Sequence, residues 1–367
     1  MSRPRPVFED YTDWMPPKPQ LLEPVIIRRS ELEAEIQRLA DRPASRRRRV
    51  EITHSDLVGD GGLAPGTTVS LCVLKPGEST APHRHNSSVV NFCIRGRGYS
   101  IIGGKKIEFG PLDVWTTPAW AVHQHVNDGD ELQVRLSYSN AALLRRLKVL
   151  IWDEEPGENP TLKAEEVEKL EESERGMLLT EDGARLLTYE QLISPEVRYP
   201  KPLHWPWPKV KAELDKLKSL GPEYTGRRLY LLYHPATGRT QGTSFNFFAT
   251  MCVRPAGIVD IPHRHTSSAI NYFFAGRGYS VIEGHRYDWE AGDLMLTAPG
   301  WAIHNHASKD EDVYELTIQD SPLQIAMGSL LWQENMKQPM EALGLTGGFK
   351  TTMDRKVGSV STRTAQG

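Results

Sequence analysis

The stretch that decides the fold occurs twice: residues 77–100 read GESTAPHRHNSSVVNFCIRGRGYS, and residues 257–280 read GIVDIPHRHTSSAINYFFAGRGYS. The two segments align without a gap at an offset of 180 residues, and 13 of the 24 positions are identical. The similarity continues downstream, where FGPLDVWTTPAWAVHQH (residues 109–125) matches EAGDLMLTAPGWAIHNH (residues 290–306) with one inserted residue. A repeat of this length predicts two copies of one domain.

Each copy has the composition of a β-sheet domain. Its apolar segments are short, rich in β-branched and aromatic residues, and separated by Gly, Pro, Asn and Asp, which is typical of a sandwich or barrel of short strands. The segments lie at residues 68–74, 89–94, 99–102 and 132–139 of the first copy, and at 247–253, 270–274, 279–282, 294–297 and 313–318 of the second. We therefore predict an all-β protein that contains two similar barrels.

The segments outside the two copies have helical patterns. The segment Ser30–Ala40 begins with a potential capping box of Ser30 and Glu33 and carries three apolar residues on one face. Two further helices are predicted at Thr161–Arg175 and Pro208–Leu220. The predicted organisation is a helical N-terminal extension (1–49), a first barrel (50–150), a helical linker (151–225), a second barrel (226–335) and a C-terminal tail (336–367).

The composition excludes several classes of protein. The chain has 367 residues and a formal net charge of −3, so no overall charge attracts nucleic acid or an acidic membrane surface. The three cysteines lie far apart and form no CxxC pair, which excludes a disulfide scaffold and fits a reducing compartment. No apolar segment reaches the length of a membrane span, and the N-terminus lacks the apolar core of a signal peptide. We therefore expect a cytoplasmic protein that binds neither nucleic acid nor membranes.

Eight of the 12 histidines form two matching sets, which are His83, His85, His123 and His125, and His263, His265, His304 and His306. Residues two apart on a strand point to the same face, so each His-Arg-His motif can present two imidazoles to one cavity. A third imidazole from a neighbouring strand completes a metal site with open coordination positions. A single buried histidine is more often structural, but the repetition of the whole pattern favours metal binding in at least one copy.

The motifs around these histidines resemble those of the cupin superfamily, whose fold is a small double-stranded β-helix, or jelly-roll, barrel. The matching glycines, prolines and third histidines are Gly77, Gly110, Pro118 and His123 in the first copy, and Gly257, Gly292, Pro299 and His304 in the second. Most cupins have a glutamate ligand shortly after the two histidines, but here NSSVVN and TSSAIN contain no carboxylate. Such a three-histidine bicupin resembles the gentisate, salicylate and 1-hydroxy-2-naphthoate 1,2-dioxygenases, over about residues 45–335.

The resemblance implies a non-haem Fe(II) enzyme of aromatic compound degradation, which cleaves a hydroxylated ring and incorporates both atoms of O2. In that family the working iron lies in the N-terminal barrel, which implies His83, His85 and His123 as its ligands here. The matching candidates for a second ion are His263, His265 and His304, and the sequence leaves open whether they bind one. The family also implies a homo-oligomer, in the form of a tetramer.

Two further histidines, His125 and His306, lie two residues after the third ligand of each copy. Residues at that spacing on a strand share one face, so both imidazoles are expected near the metal. Acid–base catalysis or the orientation of oxygen is one interpretation of these residues. The second interpretation is that each only orients a neighbouring group.

The residues predicted to bind substrate depart from the family at one position. Relatives place an arginine six residues after the second histidine of the motif, where it binds the substrate carboxylate, and this chain has Asn91. Either the substrate lacks that carboxylate or another arginine binds it. The candidate arginines are Arg47 and Arg48 in the basic run 46–49, Arg84 and Arg97. The other interpretation of the basic run, which its composition slightly favours, is a solvated charge cluster ahead of a strand.

The role of Trp120 and the class of activity stay open. Trp120, three residues before the third ligand, is either a wall of the ring pocket or a core residue. Two further functions fit the same motifs: a different metal-cupin enzyme, such as a diketone-cleaving oxygenase or an isomerase, and a non-enzymatic bicupin that binds a small ligand. The identity of the ring also stays open.

Overall fold

The computed structural model describes residues 5–43, 46–59, 61–157, 177–178, 181, 184–186, 201–220, 227–334 and 336–345. Within these residues the chain is mostly antiparallel β-sheet, and the expected all-β architecture of two similar barrels is confirmed. None of the described helices combines the length and the apolar character that crossing a membrane requires.

The elements follow the same order in both halves. The first half contains β1 (Val25–Ile27), α1 (Arg29–Asp41), β2 (Arg48–Ile52), β3 (Thr68–Leu74), β4 (Arg84–His85), β5 (Val89–Arg95), β6 (Gly98–Ile102), β7 (Lys105–Phe109), β8 (Val114–Thr117), β9 (His123–Val126), β10 (Gln133–Ser139), α2 (Ala141–Arg146) and β11 (Trp152–Asp153). Two short strands follow, β12 (Met177–Leu178) and β13 (Arg185–Leu186). The second half contains β14 (His204–Trp205), α3 (Trp207–Lys218), β15 (Leu229–Leu231), β16 (Phe248–Arg254), β17 (His263–His265), β18 (Ser268–Ala275), β19 (Arg277–Ile282), β20 (His285–Glu290), β21 (Leu294–Pro299), β22 (His304–Ser308), β23 (Val313–Gln319), α4 (Ser321–Ala326), β24 (Leu331–Glu334) and β25 (Glu341–Ala342).

Each barrel is formed by a large sheet and a facing smaller one. In barrel 1 the large sheet has the order β14-β8-β5-β10-β3-β2 and the facing sheet β7-β6-β9, while β4 pairs with β11. In barrel 2 the orders are β1-β21-β18-β23-β16-β15 and β20-β19-β22-β17-β24-β25. Aromatic stacking joins the two sheets of each barrel: Phe109 lies on Trp115 with ring centroids 4.0 Å apart, and Phe273 lies on Trp289 at 3.7 Å.

The main hydrophobic core lies between the two large sheets. Strand alternation sends Leu136 of β10 into this core, while its neighbour Arg135 faces the interior of barrel 1. Phe92 of barrel 1 contacts Tyr272 of barrel 2 edge to face, with ring centroids 5.5 Å apart. Because one face of each large sheet builds the shared core, the other face is free to line a cavity.

The short strands outside the barrels are exchanged between the two halves. Strand β1 precedes barrel 1 but pairs with β21 of barrel 2, with Val25 opposite Leu296. Strand β14 precedes barrel 2 but pairs with β8 of barrel 1, with His204 opposite Trp115. A helix follows each exchanged strand, so the repeating unit is a strand, a helix and a barrel.

The helices predicted at Ser30–Ala40 and Pro208–Leu220 are confirmed as α1 and α3. The predicted helix at Thr161–Arg175 lies outside the described residues, as do residues 346–367 of the predicted tail.

The capping box predicted from Ser30 and Glu33 is wrong, because α1 begins one residue earlier, at Arg29. The carboxylate of Asp293 in barrel 2 accepts a hydrogen bond from the backbone N–H of Arg29 at 2.8 Å. The N-terminus of the helix is therefore capped from two sides, by Asp293 of the other half of the chain and locally by Glu31, which accepts from the backbone N–H of Arg28 at 2.7 Å.

Candidate metal centre

Three histidines of barrel 1 converge because two adjacent backbone segments run antiparallel. His83 lies opposite His123, and their backbones exchange two hydrogen bonds, of 3.1 and 2.8 Å. Strand alternation places His85 on the same face as His83, and Arg84 between them on the opposite face. One nitrogen from each of the three rings lies within 4.8 Å of the others, and all three side chains are buried.

Hydrogen bonds orient the three rings of this triad. Each Nδ1 lies 2.9 Å from a backbone carbonyl, those of Ala81, Ser87 and Ala121. A carbonyl oxygen can only accept, so each Nδ1 carries the proton and each Nε2 presents a lone pair. This is the arrangement in which a neutral imidazole binds a metal ion.

The electrostatics of barrel 1 keep the triad neutral. Burial lowers the pKa of His83 and of His85 to about 4, and the positive charge of Arg47 further lowers the pKa of His83. Burial also holds the pKa of His123 well below its usual range. A neutral ring at neutral pH leaves its lone pair available, so the donor set fits a divalent metal ion.

Barrel 2 repeats this geometry with His263, His265 and His304. Their Nδ1 atoms lie 3.0, 2.7 and 2.9 Å from the carbonyls of Ile261, Ser267 and Ala302. The Nε2 atom of His265 is buried and has no hydrogen-bond partner among the described residues. A buried acceptor of this kind is satisfied by a bound ion, so the second triad fits a metal as well as the first.

The two additional histidines are buried beside the triads, each on a serine. The Nδ1 atom of His125 lies 2.7 Å from Oγ of Ser100, and that of His306 lies 2.8 Å from Oγ of Ser280. In barrel 2 the indole N–H of Trp289 also donates to Ser280 at 3.0 Å, so the serine is held from two sides. Burial, and then the charge of Arg135, hold the pKa of His125 well below its usual range.

We call the cavity inside barrel 1 chamber 1 and the one inside barrel 2 chamber 2. Chamber 1 has a volume of about 60 Å³ and is lined by the first triad, His125 and the inner faces of β2, β3, β5 and β10. Chamber 2 has a volume of about 330 Å³ and is lined by His263, His304, His306 and the corresponding strands.

Of the predicted substrate residues, Arg47, Arg48 and Asn91 line chamber 1. The Asn91 amide is held at both ends, since its Nδ2 donates to Thr117 at 3.1 Å and its Oδ1 accepts from Ser137 at 2.8 Å.

The arginines at the edge of chamber 1 already have carboxylate partners. Arg48 is buried and pairs with Glu78 at 2.6 Å, and Arg47 pairs with Glu154. Arg49, the last residue of the basic run 46–49, also lines the chamber and pairs with Glu51 at 2.5 Å.

The structure places the remaining predicted substrate residues outside chamber 1. Arg84 points away from the triad, where it pairs with Asp153 at 2.8 Å and lies over the Trp120 ring at 4.6 Å. Trp120 is 42% exposed, so it neither walls the chamber nor belongs to the core. Arg97 is exposed on the turn before β6.

The tryptophans that do border the triads were missed in the sequence. Trp152 stacks on His83 with ring centroids 5.5 Å apart and 9° between the planes, and Trp332 stacks on His265 at 5.2 Å and 13°. An arginine lies over each indole, Arg47 at 4.9 Å and Arg227 at 5.2 Å. The two tryptophans are 180 residues apart, and so are the two arginines, which is the offset of the repeat. This offset is the signal that would have identified them in the sequence.

A second missed residue distinguishes the chambers. Arg135 of β10 lies opposite Cys72 of β3, and the same position in barrel 2 is Glu315, opposite Cys252. Both side chains are buried and line their chambers. Glu315 accepts hydrogen bonds from Arg254, at 3.0 and 3.4 Å. The two chambers therefore carry opposite charges at one barrel position.

Comparisons with known proteins agree with this architecture. A family described as Cupin domain matches residues 70–139, and one described as AraC-like ligand binding domain matches residues 254–339. The 5-aminosalicylate 1,2-dioxygenase of a Comamonas species is 26% identical, covering 83% of this chain and 79% of the relative. The 1-hydroxy-2-naphthoate 1,2-dioxygenase of Nocardioides sp. strain KP7 is 27% identical, covering 75% and 68%.

A solved structure shows the same fold. The salicylate 1,2-dioxygenase of Pseudoaminobacter salicylatoxidans, crystallised as its gentisate adduct, superposes with a TM-score of 0.68. The two sequences are 17% identical, and the match covers 88% of each chain. The expected pair of cupin barrels is thereby confirmed.

Proposed function

The chain is a bicupin that resembles the gentisate, salicylate and 1-hydroxy-2-naphthoate 1,2-dioxygenases, and from this premise we propose that it is a ring-cleaving dioxygenase. The proposed substrate is a hydroxylated aromatic compound, such as a gentisate-like hydroxybenzoate or a hydroxynaphthoate. O2 is the second substrate, and both of its atoms enter the product. The observation that carries the proposal is the buried, neutral triad of chamber 1 among basic side chains.

The proposed cofactor is Fe(II), held by His83, His85 and His123. Three neutral imidazoles leave the ion its full charge and leave coordination positions open, which fits the chemistry of a ferrous ion that activates O2 beside an electron-rich ring. The carbonyl bonds at the three Nδ1 atoms fix the rings in this orientation before the ion arrives.

The chain's own residues have separate tasks in this scheme. His125 is neutral at physiological pH and hydrogen-bonds to Ser100, so its Nε2 can exchange a proton with a ring hydroxyl in chamber 1. Trp152 covers the triad and limits the access of water. Arg47, which lies over that indole, contributes positive charge at the same edge of the chamber.

Barrel 2 is proposed to hold a second ion at His263, His265 and His304, with His306 in the place of His125. The buried, unpartnered Nε2 of His265 supports this proposal. We further propose a homotetramer, as in the family that the sequence resembles, in the cytoplasm. The three free, buried cysteines are consistent with that location.

The function is tested with purified protein by metal analysis and by oxygen uptake on a panel of gentisate, 2-hydroxybenzoate, 5-amino-2-hydroxybenzoate and 1-hydroxy-2-naphthoate. We expect bound iron and stoichiometric oxygen uptake with at least one of these rings. Ring opening is confirmed by the mass of the product, which gains two oxygen atoms. A bound metal with no oxygen uptake on any ring would contradict the proposal and favour a ligand-binding bicupin. Uptake with a diketone alone would favour a different cupin oxygenase.

A further inference from the structure

Arg135 faces chamber 1 from the middle of its large sheet. On β10, Leu136 belongs to the core shared by the barrels, while Arg135 and Ser137 line the chamber together with the triad. Arg135 is only 5% exposed. It lines the same chamber as His83, His123 and His125, so its guanidinium and the triad face one cavity.

The guanidinium of Arg135 has too few partners for a buried charge. Its Nη1 donates to Oε1 of Gln133 at 3.1 Å, and its Nε has no hydrogen-bond partner. Among the described residues no carboxylate pairs with it, whereas Arg48 and Arg49 each have one. A buried cation without a counter-ion is unfavourable, so the position is suited to an anion that arrives from outside the chain.

In barrel 2 the buried charge at the same position is neutralised by residues of the chain itself. There the residue is Glu315, and its partner Arg254 also pairs with Asp260 at 2.9 Å. Arg254 corresponds to Leu74 of barrel 1, because each lies opposite the first residue of the neighbouring strand, Val313 or Gln133. Chamber 2 thus contains both signs of charge at this place, while in chamber 1 the position of Arg254 is occupied by the apolar Leu74.

We propose that Arg135 is the residue of chamber 1 that binds the carboxylate of the aromatic substrate. The inference rests on the proposed function and assigns a residue of this chain to the carboxylate that a hydroxybenzoate or hydroxynaphthoate carries. Asn91 is unsuited to this task, because Thr117 and Ser137 engage both ends of its amide. The planar guanidinium of Arg135 matches the geometry of a carboxylate and can bind it through two parallel N–H···O hydrogen bonds.

The test measures, by calorimetry and in the absence of oxygen, the affinity of the metal-loaded protein for two ligands. These ligands are 2-hydroxybenzoate and 2-hydroxybenzamide, its uncharged carboxamide. Wild-type protein is expected to prefer the carboxylate. Arg135→Met should weaken 2-hydroxybenzoate binding by about 10- to 100-fold and leave carboxamide binding within about twofold, the loss expected for a charge-assisted hydrogen bond. Arg135→Lys should retain part of the preference. The matched control is Arg277→Met, which removes an exposed arginine of barrel 2 paired with Asp310.

Several outcomes would overturn the inference. Equal binding of both ligands by the wild type would do so without any variant. An Arg135→Met protein that binds 2-hydroxybenzoate normally, or that loses both ligands to the same extent, would also do so. If Arg135→Met does not fold, Arg135→Gln and Arg135→Lys are compared, and an equal preference for the carboxylate in these two proteins counts against the inference.

The remaining arms separate this inference from the proposed function and from a simpler anion. Oxygen uptake unchanged by Arg135→Met would leave the function standing and remove the carboxylate site. If carboxylate binding depends on Arg135 but no ring causes oxygen uptake, the carboxylate site stands and the proposed dioxygenase function falls. Sodium chloride or bicarbonate could stabilise the wild type against heat, and Arg135→Met could abolish this stabilisation. If the same variant binds 2-hydroxybenzoate normally, the site belongs to an inorganic anion and the substrate role is overturned.

Discussion

The two barrels carry the same three histidines and surround them differently. The triads share their carbonyl partners position by position, down to the serine that holds the second histidine of each motif. The walls differ: Arg135 and Arg49 in chamber 1 stand where chamber 2 has Glu315 and Leu229, and the volumes are about 60 and 330 Å³.

This difference separates two properties of the fold. The groups that could hold a metal come from the HxH segments and from the third histidines, which the repeat preserves. The walls of the chambers come in part from strands β2 and β10 and their counterparts, where the copies have diverged. Two chambers with equal metal chemistry and unequal charge are therefore expected to differ in what they bind and whether they turn it over.

The largest expected effect comes from removing one ligand of each triad. His83→Ala should abolish turnover and the metal of barrel 1, whereas His263→Ala should remove the metal of barrel 2 and keep at least partial turnover. Metal analysis and oxygen uptake on the two proteins check this. Full turnover in His83→Ala would move the working centre to barrel 2.

A second prediction concerns acid sensitivity of the metal-free protein, which both barrels should share. Burial holds the folded-state pKa of His83 and of His304 at about 4, whereas an unfolded histidine titrates near 6.5. The unfolded state therefore binds more protons between these values, and the free energy of unfolding falls as the pH drops from 6.5 to 4. The upper limit is about 3 kcal/mol for each ring.

Urea unfolding of metal-free protein across this pH range measures the effect. His83→Gln and His304→Gln should each make the pH dependence shallower, and by similar amounts, since each removes one buried ring. A reduction in only one of the two variants would show that the barrels are not equivalent in this respect.

Smaller effects are expected at the tryptophans that border the triads. Trp152→Leu should lower kcat/KM by about 10-fold, because an aromatic contact of this kind contributes on the order of 1 kcal/mol beside the loss of a chamber wall. Trp332→Leu is the matched control and should leave kcat/KM unchanged if turnover occurs in chamber 1. Both variants are measured by steady-state oxygen uptake, with metal content determined in parallel. An equal loss of kcat/KM in the two variants would contradict a single working chamber.

The sequence predicted the barrels and the triads because their signal is local and repeated. Arg135 carried no such signal, since a single arginine in a strand matches many structural roles and its counterpart is a glutamate. Arg84 could have been excluded in advance, because the middle residue of a strand HxH motif must face away from both histidines.

The exchange of strands between the halves could not be predicted for a different reason. Strands β1 and β14 have only three and two residues, and each pairs with a strand of the other barrel. The contact between α1 and Asp293 likewise joins residues 264 positions apart, and no local pattern such as Ser30 and Glu33 can reveal it.

The smallest predicted effect tests this exchange directly. Asp113 of barrel 1 accepts from the backbone N–H of Trp207 at 2.6 Å, and Asp293 of barrel 2 accepts from that of Arg29 at 2.8 Å. Each carboxylate therefore caps the helix that precedes the other barrel. Asp113→Ala and Asp293→Ala should each lower the free energy of unfolding by about 1 kcal/mol or more, because each removes a helix cap and also a side-chain partner, His204 or Arg28.

Urea unfolding of the single variants and the double variant checks both the size of the losses and their symmetry. Exposed Asp310→Ala is a control that removes a carboxylate with no cap, and should change the stability by less than about 0.5 kcal/mol. Equal losses that add in the double variant would mean that each barrel contributes separately to holding the helix of the other. A loss confined to Asp293→Ala would instead show that only the N-terminal helix depends on its partner barrel, and the exchange would be functionally one-sided even though its geometry is reciprocal.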